Sequence, residues 1–325
     1  MKHKAAFIIT ARDKAQYVAR AVQGAIAQTY PCQILLSDQG STDGTYEVME
    51  KTVAETPMPM RRVAEPPEID LVLDREVKEV PRHTVELVRC PIEGKYGMRA
   101  ANSHTIWLME RADADWVFQC SADDYSLPDR VRVCMEAVER NTCAAVACTM
   151  HFVSPGEEVG PMSRSSGYPA ESGYVSGGVG LSRLVFGSTI QGWNREFFLK
   201  AGHAGDVTGD VYHGYLAAID KGYYVVANRQ HVHVQHVSMD NMGFGGKMLA
   251  AEASGDKTTI NRINELNRFQ LFELYYHIAK KQQELYPLTH ESDRMPLINM
   301  MLGQACGWYI ERKRLHEEGT IPWIM

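Results

Sequence analysis

The sequence predicts an α/β protein built on a mostly parallel sheet of βαβ type and followed by a helical C-terminal extension. Three observations predict it. Short apolar runs alternate with helically spaced apolar residues from residue 5 to residue 153, the rhythm of successive βαβ units. The runs at 33–38 and 115–120 end in turns rich in Gly, Ser, Thr and Asp. Beyond residue 240, apolar residues recur mainly at threes and fours.

Taken in order, residues 5–9, AAFII, are a continuous apolar run of the kind a buried strand shows. Asp13 lies three residues before Gln16, an N-cap arrangement. Tyr17, Val18, Ala21, Val22, Ala25 and Ile26 then keep helical spacing until Tyr30-Pro31 stops the helix. QILLSD (33–38) is a second strand, closed by QGSTDGT and followed by a helix over 45–55. TVELVRC (84–90), with its alternation and β-branched residues, is a third strand, and a helix spans 97–111. DWVFQC (115–120), a helix over 128–141 and the apolar run CAAVACTMHFV (143–153) complete the rhythm.

Residues 56–83 break it. Their five prolines and mixed charge read as a surface excursion, and the Gly/Ser-rich stretch 154–192 as long loops. Helical pattern returns over 210–221, a strand YYVVAN follows, and Ile260, Ile263, Leu266, Phe269, Leu274 and Ile278 mark the C-terminal stripes. These stripes must pack on the chain's own core or on a partner, a homodimer being one such arrangement.

Composition narrows the function. With 45% apolar and 23% charged residues in 325, the chain has the make-up of a soluble globular protein. A formal charge of −6 argues against sequence-independent wrapping of nucleic acid. The first apolar run ends after five residues, too short for a signal segment or a membrane span. Seven cysteines without CxxC or Cys/His spacing fit a reducing, cytoplasmic setting.

Two motifs carry chemistry. In SDQGSTDGT (37–45), a strand ends in Asp38 and a Gly/Ser/Thr/Asp turn opens a helix, at the carboxyl edge where open α/β sheets bind ligands. Asp38 there suits a nucleobase N–H or a ribose hydroxyl, and Asp and Gly equally build turns for backbone reasons. In SADDYSLPDR (121–130), Asp123 and Asp124 follow a strand. They offer hard oxygen ligands to Mg2+ or Mn2+, or else cap the helix near Pro128.

FIITARDKAQYVARAVQGAIAQTYPCQILLSDQGSTDGT and GKYGMRAANSHTIWLMERADADWVFQCSADDYSLPDRV together resemble the family-two glycosyltransferases of the GT-A fold. The likeness lies in the Pro-Thr-Tyr-Asn-Arg-like turn, Gln-Thr-Tyr-Pro, Asp-Asp-Gly-Ser-Thr-Asp-Gly-Thr, Gly-x-x-x-Ala-x-Asn and Asp-Ala-Asp-Asp elements, in order over nearly the first 150 residues. The resemblance implies a GT-A domain with a Rossmann-like sheet over 1–240, with a nucleotide-binding half (1–150) and an acceptor-side half (151–240), and a helical extension over 241–325. It implies a nucleotide-diphosphate sugar, with uridine the expected nucleoside, as donor. Thr10, Ala11, Arg12, Asp38, Arg99, Ser121, Ala122 and Asp124 would surround that donor, and Asp123 would hold Mn2+ or Mg2+. Arg99 reads equally as a solvated helix charge.

In the second half, GSTIQGWNREFFLKAGHAGDVTGDVYHGYLAAIDKGYYVV resembles the family's acceptor-side segment. Asp210 stands at the Asp of the family's Glu-Asp pair, so the resemblance makes it the general base of an inverting transfer; its position also suits a helix cap. His236, in HVHVQH, would be a further metal ligand. The chain departs from the family at Ser121, where the first acid of DxD stands, at Gln39, at Gly209 and at Arg12, which replaces an aromatic. These departures leave a second reading open, a nucleotide-sugar-binding protein without turnover. The acceptor is unspecified: polysaccharide, lipid-linked sugar, protein and modified nucleobase all fit.

Overall fold

A computed structural model of the chain describes residues 3–64, 77–90, 98–148, 150–153, 164–165, 172–174, 191–205, 209–227 and 233–236, with scattered positions between 251 and 318. The described elements are, in chain order, β1 (Ala5–Ala11), α1 (Val18–Ile26), β2 (Cys32–Asp38), α2 (Thr45–Glu55), β3 (Met60–Ala64), β4 (Val77–Pro81), β5 (Thr84–Arg89), α3 (Met98–Arg111), β6 (Trp116–Ser121) and β7 (Tyr125–Ser126). They continue with α4 (Arg130–Arg140), β8 (Ala145–Cys148), β9 (Met150–Val153), β10 (Arg164–Ser165), β11 (Gly173–Tyr174), β12 (Gln191–Asn194), α5 (Arg195–Ala201), α6 (Gly209–Ile219), β13 (Tyr223–Val226) and β14 (His233–His236).

Eight strands form one sheet in the order β11-β13-β8-β12-β6-β1-β2-β5. β1 runs parallel to β2 and β6, and β2 parallel to β5, while β12 runs antiparallel to both its neighbours. The chain moves from β1 to β2 and β5 on one side, then returns to β6 on the other, so the strand order reverses at β1. That reversal leaves a crevice at the carboxyl ends of β6, β1 and β2.

Successive residues of β1 feed opposite cores. Ala6 and Ile8 join Leu35, Val117, Trp193 and Leu216 under α3, α5 and α6. Phe7 and Ile9 join Val22, Ile34, Leu36, Phe118 and Met135 under α1 and α4. Both faces of the sheet are therefore covered, which explains why these strands read as unbroken apolar runs. Each fully buried Ile, Leu or Phe contributes roughly 1.5–3 kcal/mol.

The QTYP and LPDR motifs meet in space. The amide of Gln28, fully buried, donates to the carbonyls of Gly24 (2.8 Å) and Leu127 (2.9 Å) and accepts from the Val131 N–H (3.0 Å). The Thr29 hydroxyl donates to Asp129 Oδ1 at 2.7 Å. Arg130, fully buried, donates to Ser126 Oγ (2.8 Å) and the carbonyls of Gln119 (2.8 Å) and Gln191 (3.3 Å), and its guanidinium lies 5.5 Å from the Phe7 ring. This knot fixes the loop that carries Asp123 and Asp124 against α1 and β6.

The structure corrects three expectations and adds detail to a fourth, the surface excursion. The run 143–153 is two strands in different sheets, since β9 pairs with β10 and β14 in a four-stranded sheet that also holds β7. The excursion 56–83 contains an antiparallel pair, β3 with β4. α4 begins at Arg130 with Asp129 at its N-cap position, so Asp123 and Asp124 are not its caps. The first helix begins at Val18 with Tyr17 at the N-cap, not at Asp13. Most of the expected loop 154–192 and most of the helical region 241–325 lie outside the described residues. Leu274 and Ile278 of that region pack into the chain's own core beside Trp193 and Phe198.

Gly24 gives a test. An alanine in mid-helix normally gains about 1 kcal/mol over glycine, but a Cβ at Gly24 would lie 2.6 Å from the Ser126 carbonyl oxygen. Backbone overpacking costs about 1–3 kcal/mol, so Gly24→Ala should lower stability in urea unfolding despite its better propensity.

Candidate functional site

Two turns clasp each other at the carboxyl edge. Asp13, with φ of +50°, sits in the left-handed region that Asp tolerates better than most residues. Its N–H donates to Ser41 Oγ (2.8 Å), and its carboxylate accepts from the Thr42 N–H (2.9 Å). This engagement is why it does not cap α1. The Lys14 N–H donates to Thr45 Oγ1 (2.7 Å), and the Ala15 N–H to Asp43 Oδ2 (2.9 Å). Burial raises the Asp43 carboxyl, but hydrogen bonds from Thr45 and Ala15 outweigh it and hold the pKa below the usual range. The Asp residues of SDQGSTDGT thus build the turn, and the turn fixes the backbone of Lys14.

Lys14 is a site residue that the sequence reading missed. Its ammonium pairs with Asp123 Oδ2 at 2.8 Å, and the two side chains are only 13% and 16% exposed. Asp124 is buried, at 3% exposure, and its N–H donates to the Ser121 carbonyl at 3.1 Å. The Ala122 N–H donates to the Thr10 carbonyl at 3.2 Å, so the acid-bearing turn sits directly on the end of β1. β14 pairs antiparallel with β7, Val234 opposite Tyr125, so the strand carrying His236 runs alongside the acid turn. A divalent ion at this edge would need Asp123, but that carboxylate already faces a full positive charge, and Ser121 brings no charge where a first acid would stand. Among the described residues no three His, Cys, Asp or Glu groups converge as a ligand set. Paired with Lys14 at 2.8 Å, the Asp123 carboxylate does not fit a resident Mn2+ or Mg2+, and the side chain of His236 lies outside the described residues.

Asp38 ends β2 with its side chain fully buried. It accepts from the Ser41 N–H at 3.1 Å and from the Ser41 hydroxyl in a very short contact, with Arg89 Nη1 at 3.9 Å. Arg89, the second cation missed in the sequence, also pairs with Glu47 (3.3 Å) and lies 3.7 Å over the Tyr46 ring. Arg12 follows β1 with Nε 3.9 Å from Asp13 Oδ2. Thr10 and Ala11 lie within β1 rather than in the turn, opposite Ser37 and Asp38.

α3 joins this edge to the second half of the chain. Toward β2, His104 Nε2 lies 2.7 Å from Ser37 Oγ, and the Ala100 carbonyl accepts from Gln39 Nε2 at 3.4 Å. Toward α6, Asn102 Nδ2 donates to the Gly205 carbonyl (2.9 Å), and Ser103 Oγ meets His203 Nε2 at 2.7 Å. Arg99 stands exposed in the first turn of α3. A Cβ on Gly209 would lie 2.2 Å from Asn102 Oδ1, so the departure from Glu at 209 is what admits Asn102.

Asp210 lies in the first turn of α6, within the helix rather than at its cap. Burial raises its pKa to about 6, against opposing hydrogen bonds from the Val211 N–H and its own. His213, three residues on, anchors this turn: its ring nitrogens lie 2.6 and 2.9 Å from the carbonyl oxygens of Gly209 and Gly202, and its ring stacks on Phe198 at 3.8 Å. Burial pushes the imidazole down to about 4, against the two carbonyl contacts, which act in the opposite direction.

A cavity of about 830 Å3 lined by Lys4, Cys32, Arg61, Arg82, Thr84 and Asp115, among others, opens at the amino ends of the strands, opposite this edge. Among the described residues no helix is long and apolar enough to cross a membrane.

No protein-family model matches the sequence, and no curated protein matches it. Solved structures do match the fold. The chain resembles Staphylococcus aureus TarS with a TM-score of 0.51 and 13% identity, over 90% of this chain and 47% of that one, so it spans about half the length of the longer TarS chain. Against TarS residues 1–349 in complex with UDP-GlcNAc the TM-score is 0.52 at 12% identity, covering 93% of this chain and 80% of the other. Against the UDP complex it is 0.53 at 11%, covering 98% and 93%. The chain has the GT-A fold.

The contact at Gly209 is testable. Gly209→Glu, which restores the residue usual in the resembling family, should cost about 1–3 kcal/mol by overpacking Asn102. Combining it with Asn102→Ala should recover part of the loss, read as a coupling energy in a denaturation cycle.

Proposed function

We propose that the protein is a glycosyltransferase that moves a sugar from a nucleotide-diphosphate sugar, a UDP-sugar first, onto an acceptor hydroxyl with inversion. The observation that carries this reading is the GT-A crevice at β6, β1 and β2, with the Lys14–Asp123 pair, the Asp38 turn and α3 at its rim. The TarS complexes with UDP and UDP-GlcNAc support a uridine nucleotide as the first donor to test.

In this reading the nucleoside lies over Thr10, Ala11 and Asp38, with the Arg12 guanidinium available to stack on the base. The diphosphate faces Ser121 and Ala122 beside the Lys14–Asp123 pair, with Arg99 at the open side, and Asp124 supports the turn from below. The acceptor oxygen attacks C1 from the face opposite the diphosphate. A bond forms between that oxygen and C1, and the C1–phosphate oxygen bond breaks with its electron pair leaving on the nucleoside diphosphate. The acceptor's proton passes to the Asp210 carboxylate. A carboxyl near 6 is ionised at neutral pH, yet basic enough to accept that proton. A reducing, cytoplasmic setting is part of this reading, from seven cysteines without CxxC or Cys/His spacing; burial pushes Cys143 up to about 12 and Cys32 and Cys120 further, leaving them as protonated apolar side chains.

The reading is tested by incubating the protein with a panel of nucleotide sugars and following release of the nucleoside diphosphate. Turnover of one donor is the expected result; binding without turnover of any donor would assign a binding protein instead. Asp210→Asn should lower kcat by roughly 100- to 10,000-fold with little change in nucleotide affinity. Because the base works ionised, activity in the wild type should fall as pH drops through about 6, and that acid limb should be missing from the residual activity of Asp210→Asn.

A further inference from the structure

We infer that the Lys14 ammonium stands at Asp123 where a divalent cation would otherwise sit, and that it supplies the positive charge met by the departing nucleoside diphosphate. The inference rests on the donor reading above and replaces the metal in it with a residue of this chain.

Four features lead there. First, Lys14 is held from its backbone outward: its N–H is fixed by Thr45 Oγ1 at 2.7 Å, and Asp13 and Ala15 on either side are tied to Ser41, Thr42 and Asp43. Second, its side chain is 13% exposed, its ammonium lies 2.8 Å from Asp123 Oδ2, and the Tyr17 ring lies 5.8 Å from it. Ordering a long lysine side chain to this degree costs entropy, which a solvated surface lysine avoids. Third, Asp123 is correspondingly covered, at 16% exposure, so the pair lies in a sheltered site where charge interactions act strongly. Fourth, Ser121 stands where a second negative charge would be needed to draw in a dication against a neighbouring ammonium. Mg2+ and Mn2+ in phosphate sites rely on one or two carboxylates together with the phosphates; here the Asp123 carboxylate is matched by a monovalent cation.

The chemistry is suited to the task. An ammonium carries three donors. Asp123 accepts from it, and its compact charge at the rim of the β1–β6 crevice is what the phosphate oxygens of a bound donor would meet. Charge developing on the leaving diphosphate is stabilised by a preorganised cation in a sheltered site, whether that cation is a metal or a side chain. Asp123 then acts as a positioning residue that orients Lys14, rather than as a metal ligand.

The test is calorimetric titration of UDP, then of GDP and ADP, into wild type, Lys14→Met, Lys14→Arg and Asp123→Asn, each in EDTA and in Mn2+. Thermal melts check that every variant is folded. Wild type should bind one diphosphate with the same affinity in EDTA and in Mn2+. Lys14→Met should weaken that binding in EDTA by roughly 10- to 100-fold, the scale of a lost charge-assisted contact. Mn2+ should recover part of the loss because Asp123 no longer faces the ammonium, and Lys14→Arg should stay close to wild type. Binding by wild type only in Mn2+, or equal binding by Lys14→Met and wild type in EDTA, overturns the inference and leaves the donor reading standing. Absence of binding by any of these diphosphates in either condition overturns the donor reading, and this inference with it.

Discussion

The constraint on which the rest of this structure depends is the position of β1 between β6 and β2, parallel to both. A parallel sheet with helices on both faces exposes functional backbone only at its ends, and the strand order reverses at β1. The loops that leave β1, β2 and β6 therefore converge on one rim. Asp13, Asp38, Asp43, Asp123 and Lys14 meet there although they come from three separate stretches of chain. No side chain needs to reach far, because the sheet has already aligned the strand ends.

The convergence is then locked by polar contacts that cannot be given up cheaply once buried. Gln28 and Arg130 fasten the acid-bearing loop to α1 and β6, and both are fully buried. The Asp13–Thr42 and Ala15–Asp43 hydrogen bonds fasten the two turns to each other. Replacing either Gln28 or Arg130 with an apolar residue would leave partners unsatisfied in the interior, at about 1–3 kcal/mol for each group. Much of what looks like a binding motif in the sequence is thus scaffold, and its effect is to hold a few groups, Lys14 above all, in one place.

The acids of the carboxyl edge and the acid of α6 live in contrasting surroundings. Asp123 faces Lys14, and Asp38 faces Ser41 with Arg89 nearby, so each has positive charge or hydrogen-bond donors within reach. Asp210 is raised to about 6 by burial, with no cation offsetting that rise among the described residues. Acids in such different environments suit different tasks, one set holding charge in place and the other exchanging a proton. α3 couples them, since it touches Ser37 and Gln39 through one face and Gly205 through another.

Local patterns in the sequence determined the strand and helix alternation, the carboxyl-edge position of Asp38 and Asp123, and the helix that begins beside Asp210. Those features follow from periods of two and 3.6 residues and from turn chemistry, all of which act over a few neighbours. The resemblance to the GT-A glycosyltransferases, carried by the order of the motifs, anticipated the fold. Only the tertiary structure decided the rest. It divided the single apolar run 143–153 between two sheets, because a continuous run does not say which partner each residue pairs with. It turned Asp13 from a helix cap into a clasp on Thr42, and it gave the place of a Glu at Gly209 to Asn102. It also set Lys14 against Asp123, a pairing between residues far apart in sequence that no local pattern encodes, because Coulomb attraction depends on distance in space and that distance is fixed by the sheet.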